Sequence, residues 1–190
     1  EIDTLWLKSE GRDYETEEIR HAHHRFEADF CIAEYKRTSD PWQAVNASAH
    51  LRKCAASNQA IELLAAIPAV RQEQPKLKSA IRTTHGGALR DLGHFTAALT
   101  LGEEAHALQP NNFRPCTLLG ALNIELGKFE IGHEWYRLAE ARGAKSDNIE
   151  HEIRSLLAHM SAEKRDEAIR ELLRIDPVKY RWLRKGKPKA

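Results

Sequence analysis

Three cysteines in 190 residues are too few and too scattered to staple a fold. Cys31, Cys54 and Cys116 are odd in number, far apart and form no CxxC pair. That excludes a disulfide framework and a zinc ribbon, and it fits a reducing compartment in which the thiols stay free and mostly buried. Net charge is equally scarce. Lys+Arg 29 against Asp+Glu 28 leaves +1, so no global field points to wholesale wrapping of nucleic acid or adsorption to an acidic membrane. No apolar run approaches the roughly 18 residues of a membrane span. The opening Glu1-Ile2-Asp3 carries neither a basic leader nor an initiator Met, and the expectation is a soluble, cytoplasmic piece of a longer chain with no membrane partner. There is no GxxxxGK followed by Ser or Thr, and no HExxH, so neither a phosphate loop nor a zinc-protease helix is present. What the chain does have is 42% hydrophobic and 30% charged residues, enough for a core on the scale of one domain of roughly 100–200 residues.

It also has an internal repeat. Leu92-Gly93-His94-Phe95 aligns with Leu126-Gly127-Lys128-Phe129 at an offset of 34 residues, and the same frame matches Gly86 with Gly120 and Ala105 with Ala139. Each unit reads as two helices and a tight turn: Ile81 to Leu92 and Thr96 to Leu108, then Thr117 to Leu126 and Glu130 to Ala141. Gly93 and Gly127 end the first helices, because a left-handed C-terminal residue is easiest for glycine. Pro110 with its flanking asparagines closes the first unit, and Gly143 closes the second. Gly86, Gly120, Ala98 and Gly132 are expected where paired helices cross, since bulk there would force the axes apart. Leu89, Leu92, Phe95, Leu99, Leu108 and their counterparts are expected to fill the interface. A hairpin of this kind cannot hide its apolar faces alone, so neighbours must stack on it.

The pattern Leu92-Gly93-x-Phe95-x-x-Ala98, with Ala105 and Pro110, followed by Gly120, Leu126-Gly127-x-Phe129, Tyr136 and Ala139, resembles the tetratricopeptide repeat over about residues 79–144. It departs from that pattern where Arg82 and Cys116 occupy the usual aromatic position, where Gly102 replaces a larger residue, and where Ala144 replaces the closing proline. The resemblance implies an all-α, right-handed α-α superhelix of about four helical hairpins, with first helices lining a concave groove that takes a peptide or a partner domain. The boundaries read as an N-terminal helix and cap over 1–39, a degenerate hairpin over 40–78, repeats over 79–112 and 113–146, a second degenerate hairpin over 147–177, and a basic tail over 178–190. In the degenerate units Ala60 and Ala168 stand in the place of Ala98. Carried over to this chain, the groove is expected to present Thr83, Gly87, Arg90 and Asp91 from one repeat and Arg114, Thr117, Ala121, Ile124 and Glu125 from the next. Gly87 and Ala121 stand where a two-carboxylate peptide clamp would want asparagine, which disfavours chaperone-tail binding.

The N-terminal stretch, Tyr14 to Arg37, carries Ile19, Ala22, Phe26, Phe30 and Ala33 at helical spacing and predicts an amphipathic helix that caps the solenoid. Asp40 and Pro41 then supply the next N-cap and first turn.

Candidate chemistry is sparse. Glu17, His21 and His24 share one helical face at metal-ligand spacing, but no second ligand-rich segment completes a site, and the plainer reading is a solvated face; no metal or other cofactor is expected. Cys116 sits at a packed helical position and reads as a buried structural thiol rather than a nucleophile. The tail is more distinctive. Lys179, Arg181, Arg184, Lys185, Lys187 and Lys189 follow Pro177 with no acidic residue, interleaved with Tyr180 and Trp182, a composition that can grip phosphates and stack on bases. The alternative is that Tyr180 and Trp182 cap the last hairpin. The leading expectation is therefore a non-catalytic protein-binding scaffold using Thr83, Arg90, Asp91, Arg114, Thr117, Ile124 and Glu125. The second is a nucleic-acid accessory module using Lys179, Tyr180, Arg181, Trp182, Arg184 and Lys185.

Overall fold

The computed structural model describes residues 16–68 and 74–186, the last two by their backbone alone. Tyr14, Lys187 and Lys189 lie outside those residues. Among the described residues the fold is all-α: α1 (Glu17–Thr38), α2 (Pro41–Lys53), α3 (Ser57–Ala65), α4 (Pro75–Asp91), α5 (Phe95–Leu108), α6 (Phe113–Glu125), α7 (Phe129–Ala141), α8 (Ser146–His159) and α9 (Ala162–Ile175), then a 3-10 helix at Arg181–Gly186. No described helix is long and apolar enough to cross a membrane. Contacts divide the chain into two compact units, Glu1–Leu108 and Gln109–Ala190.

The repeat's punctuation is realised in the backbone. Gly93, Gly127 and Gly143 have φ of +80°, +73° and +97°, and each closes its helix in the same way. His94 N–H donates to Leu89 O at 2.9 Å, Lys128 N–H to Asn123 O at 2.8 Å and Ala144 N–H to Ala139 O at 3.0 Å, the bond that returns to the third-last carbonyl of a helix. The first helices of both repeats begin earlier than the hydrophobic pattern alone suggests. α4 starts at Pro75, where a proline loses nothing in the first turn. α6 starts behind Asn112, whose side chain accepts from Arg114 N–H at 3.0 Å, so the expected closing asparagine is also the next helix's cap.

In the first unit, α1 packs along α2, α2 pairs with α3, and α4 pairs with α5 while resting on α2 and α3. Asp40 caps α2, accepting from Trp42 N–H at 3.0 Å, with Pro41 in the first turn. Ala44, Val45, Leu64, Ile67, Leu77 and Ile81 form one buried cluster, and Ala28, Leu51, Ala60 and Ala88 another. The buried side of α1 corrects the expected stripe. Ala28 and Cys31 face inward, while Ala22 and Ala33 are exposed and Phe26 and Phe30 are 65% and 59% exposed. Small residues let α1 and α2 approach closely, and the phenylalanines project from the other side.

In the second unit, α6 pairs with α7, and α9 lies against α7 more than against α8. The expected α8–α9 hairpin is therefore loosely closed on itself, and Ala168 and Leu172 of α9 share one buried cluster with residues of both α7 and α8. Tyr136, Ile153, Leu172 and Tyr180 are fully buried at the centre; burying large apolar side chains of this kind contributes about 1.5–3 kcal/mol each. The glycine crossing is as predicted. A Cβ on Gly132 would come within 2.8 Å of Ile124 and 3.0 Å of the Gly120 carbonyl, and one on Gly120 within 3.0 Å of the Tyr136 ring. Leu92 and Leu126 are 37% and 38% exposed rather than interfacial, because both sit at the helix C-cap where the chain turns out into its glycine.

Candidate partner-binding cleft

The residues expected to line a groove divide between the two units. In the first, Asp91 at the end of α4 is engaged: Arg52 of α2 donates to it from Nε at 2.8 Å and from a second nitrogen at 3.1 Å, and Ser57 Oγ donates at 3.0 Å. Thr83 Oγ1 donates to the Ser79 carbonyl of its own helix at 2.8 Å. Arg90 is half-buried and engaged by another residue. In the second unit, Arg114 is exposed, its guanidinium 5.5 Å from the Phe113 ring. Thr117 Oγ1 donates to the Arg114 carbonyl at 2.9 Å, and Glu125 is half-buried with a partner of its own. Ile124 is 1% exposed, its side chain over Gly132. That corrects its assignment as a contact residue: it fills the space a side chain on Gly132 would take.

The tail is corrected more strongly. Tyr180 is fully buried and shares a 3.0 Å hydrogen bond with His133 Nδ1, the two rings meeting edge-on. Burial pushes its phenol well above the usual range. Trp182 is half-buried with the Arg154 guanidinium 4.3 Å from its ring centroid, a cation–π contact. Lys179 is held by Glu140. Asp176 accepts from the Lys179 and Val178 N–H groups at 2.8 and 3.1 Å, which hold its carboxyl below the usual range. The described residues after Pro177 thus form a folded wall of the second unit. Of its expected nucleic-acid residues, only Arg181 and Arg184 are exposed; the side chain of Lys185 lies outside those described.

Folding the tail back creates a cleft of ≈ 970 Å³. α7 contributes His133, Arg137 and Glu140, and the start of α8 contributes Ser146 and Glu150. The C-terminal turn supplies Asp176, Lys179, Arg181 and Trp182 to the opposite side. Sequence reasoning missed His133, although a signal was present: it stands 34 residues after Leu99, at a position where the repeat wants an apolar side chain, and a polar residue there needs a buried partner.

The histidines on α1 point to different partners. His21 lies 3.7 Å from Glu17, while His24 turns to His50 of α2, with 3.1 Å between their Nδ1 atoms. No group of three or more metal-ligating side chains stands together among the described residues. Cys116 is fully buried, with Arg142 donating to its sulfur at 2.8 Å, and burial outweighs that contact in pushing the thiol up, away from the thiolate a nucleophile needs. The chain matches no protein-family model, no curated protein and no solved structure.

Proposed function

We propose that this chain is a non-catalytic scaffold of the tetratricopeptide type, a module or subunit of a larger assembly that holds a peptide or partner domain. One observation carries the reading. Two helical hairpins 34 residues apart close on the same glycine backbone turn, which is the construction of a repeat built to present surface rather than to enclose a reaction. The open cleft of the second unit supports it, being roughly as large as the upper range of ligand sites and lined mostly by residues with charged or polar heads.

The test is affinity co-purification from the native cell, divided into nuclease-treated and untreated halves. A protein retained at near-stoichiometric amount after nuclease is the expected result. Recovery of nuclease-sensitive material alone would replace the scaffold with a nucleic-acid module.

A further inference from the structure

The cleft of the second unit is lined by nearly equal numbers of cations and carboxylates, but those charges are not equally available. Glu140 is held by Lys179. Glu150 accepts from Arg154 at 2.7 Å. Asp176 is satisfied by two backbone N–H groups. Arg137 is shared with Glu134 at 2.9 Å. Every carboxylate on the cleft wall thus has its donor. Arg181 also lines the cleft and is exposed, and its guanidinium has no hydrogen-bond or ion-pair partner among the described residues. Arg184 is likewise exposed and unpartnered there. In a 3-10 helix residues three apart eclipse, so Arg181 and Arg184 leave the Arg181–Gly186 helix along the same edge. The cleft therefore carries one uncommitted guanidinium in its lining, that of Arg181, with Arg184 one 3-10 turn beyond it, and the planar donors of both suit carboxylates.

We infer that this cleft binds an acidic peptide segment of a partner protein, with Arg181 and Arg184 receiving its carboxylates. The inference rests on the scaffold reading and adds the site and the charge of the partner. A peptide fits the wall better than a nucleic acid for two reasons. The aromatic side chains that would stack on bases are occupied, Tyr180 in the core and Trp182 beneath Arg154. And Glu140, Glu150 and Asp176 line the interior, where a backbone with a charge on every nucleotide would set phosphates against carboxylates. A peptide can place its acidic residues on the rim and turn its own N–H groups toward those carboxylates.

The experiment selects a displayed library of random dodecapeptides on the whole chain and on the Arg181→Glu/Arg184→Glu variant. Both substitutions are at exposed positions, and circular dichroism checks that helix content is kept. The expected result is enrichment of Asp and Glu on the natural chain and its loss on the variant. Individual selected peptides should weaken on the variant by about 10-fold or more, as reversal of a recognition charge does, and should weaken with salt. Selection with no acidic enrichment, or enrichment that persists on the variant, overturns the proposal. So does tighter binding of oligothymidine than of any selected peptide in a parallel anisotropy titration. The variant is also carried through the co-purification above. A protein partner retained equally by both chains overturns the cleft alone, whereas the absence of any protein partner overturns the scaffold reading itself.

Discussion

Arg52 reaches Asp91 by lying across Gly87. A Cβ built on that glycine would stand 2.2 Å from Arg52 Nη1 and 2.4 Å from its Cζ, so the missing side chain on α4 is the passage through which α2 sends its guanidinium to the end of α4. The pair is partly shielded, with side-chain exposures of 26% and 32%. Gly87 and Asp91, both expected to face a partner, are instead committed to holding these helices together.

That relationship predicts a coupled pair of substitutions. Gly87→Ala gains roughly 1 kcal/mol of helix propensity and loses about as much when the flexible Arg52 head is displaced from Asp91. Its net effect on urea unfolding should lie within about 0.5 kcal/mol of zero. In an Arg52→Ala background nothing is left to displace, and the same substitution should stabilise by about 1 kcal/mol. Equal effects in both backgrounds would show that the guanidinium does not depend on the gap.

Gly127 and Gly132 should separate two reasons for glycine. Gly127 has φ +73° with open space around it, so Gly127→Ala costs only the left-handed conformation, about 1 kcal/mol. Gly132→Ala drives a methyl onto Ile124 and toward the Gly120 carbonyl. Backbone cannot step aside as a long side chain can, so the cost should reach about 2–3 kcal/mol. Denaturant midpoints of the two variants measure the order directly.

These glycines mark what could be read from the sequence. Gly93, Gly127 and Gly143 announce turns because their backbone conformation restricts the residue type, and Asp40-Pro41 announces a helix start for the same kind of local reason. The all-α class follows from such signals. The face of α1 does not, since its interface with α2 is built on small residues such as Ala28 and Cys31, which weigh little beside Phe26 and Phe30 in any hydropathy pattern. The cleft was illegible for a different reason. It exists only because Tyr180 folds back onto His133, 47 residues away, and no local spacing encodes that contact.

Ala55 carries a cost that can be relieved. It takes φ +59°, and Ala56 N–H donates to Leu51 O at 2.8 Å, the same closure that Gly93 and His94 make. A left-handed alanine costs about 1–2 kcal/mol, of which the greater freedom of unfolded glycine returns about 0.4–1. Ala55→Gly should therefore raise stability by about 0.5–1 kcal/mol and raise the melting temperature.

Tyr180→Phe isolates the polar half of the tail's anchorage. It keeps the ring in the core and removes the hydroxyl from His133, leaving a buried imidazole nitrogen without its partner at a cost of about 1–2 kcal/mol. Unfolding should show that loss while peptide selection on the cleft keeps its acidic preference. A variant of unchanged stability would mean that the 3.0 Å contact contributes nothing net.

Acid should loosen α1 through His24. Its imidazole is lowered to about 4, first by burial and then by the cations and histidines around it, namely Lys53 and His50 on α2 and His23 and Arg20 on α1. The unfolded chain takes up this proton near the ordinary value of about 6.5. Between those values the unfolded state holds more protons than the folded one, so stability rises with pH. The contribution is present in full above about 6.5 and is lost as pH falls toward 4. His85, lowered by burial, adds in the same direction. Because His24 is only half-buried, solvent screening should leave about 1 kcal/mol of the effect. Melting at pH 7.5 and 4.5 should show a smaller drop for His24→Gln than for the natural chain, and hydrogen exchange at the lower pH should reach the α1 amides that face α2 first. An identical drop in both chains would place the acid sensitivity elsewhere and leave the His24–His50 contact without a role in it.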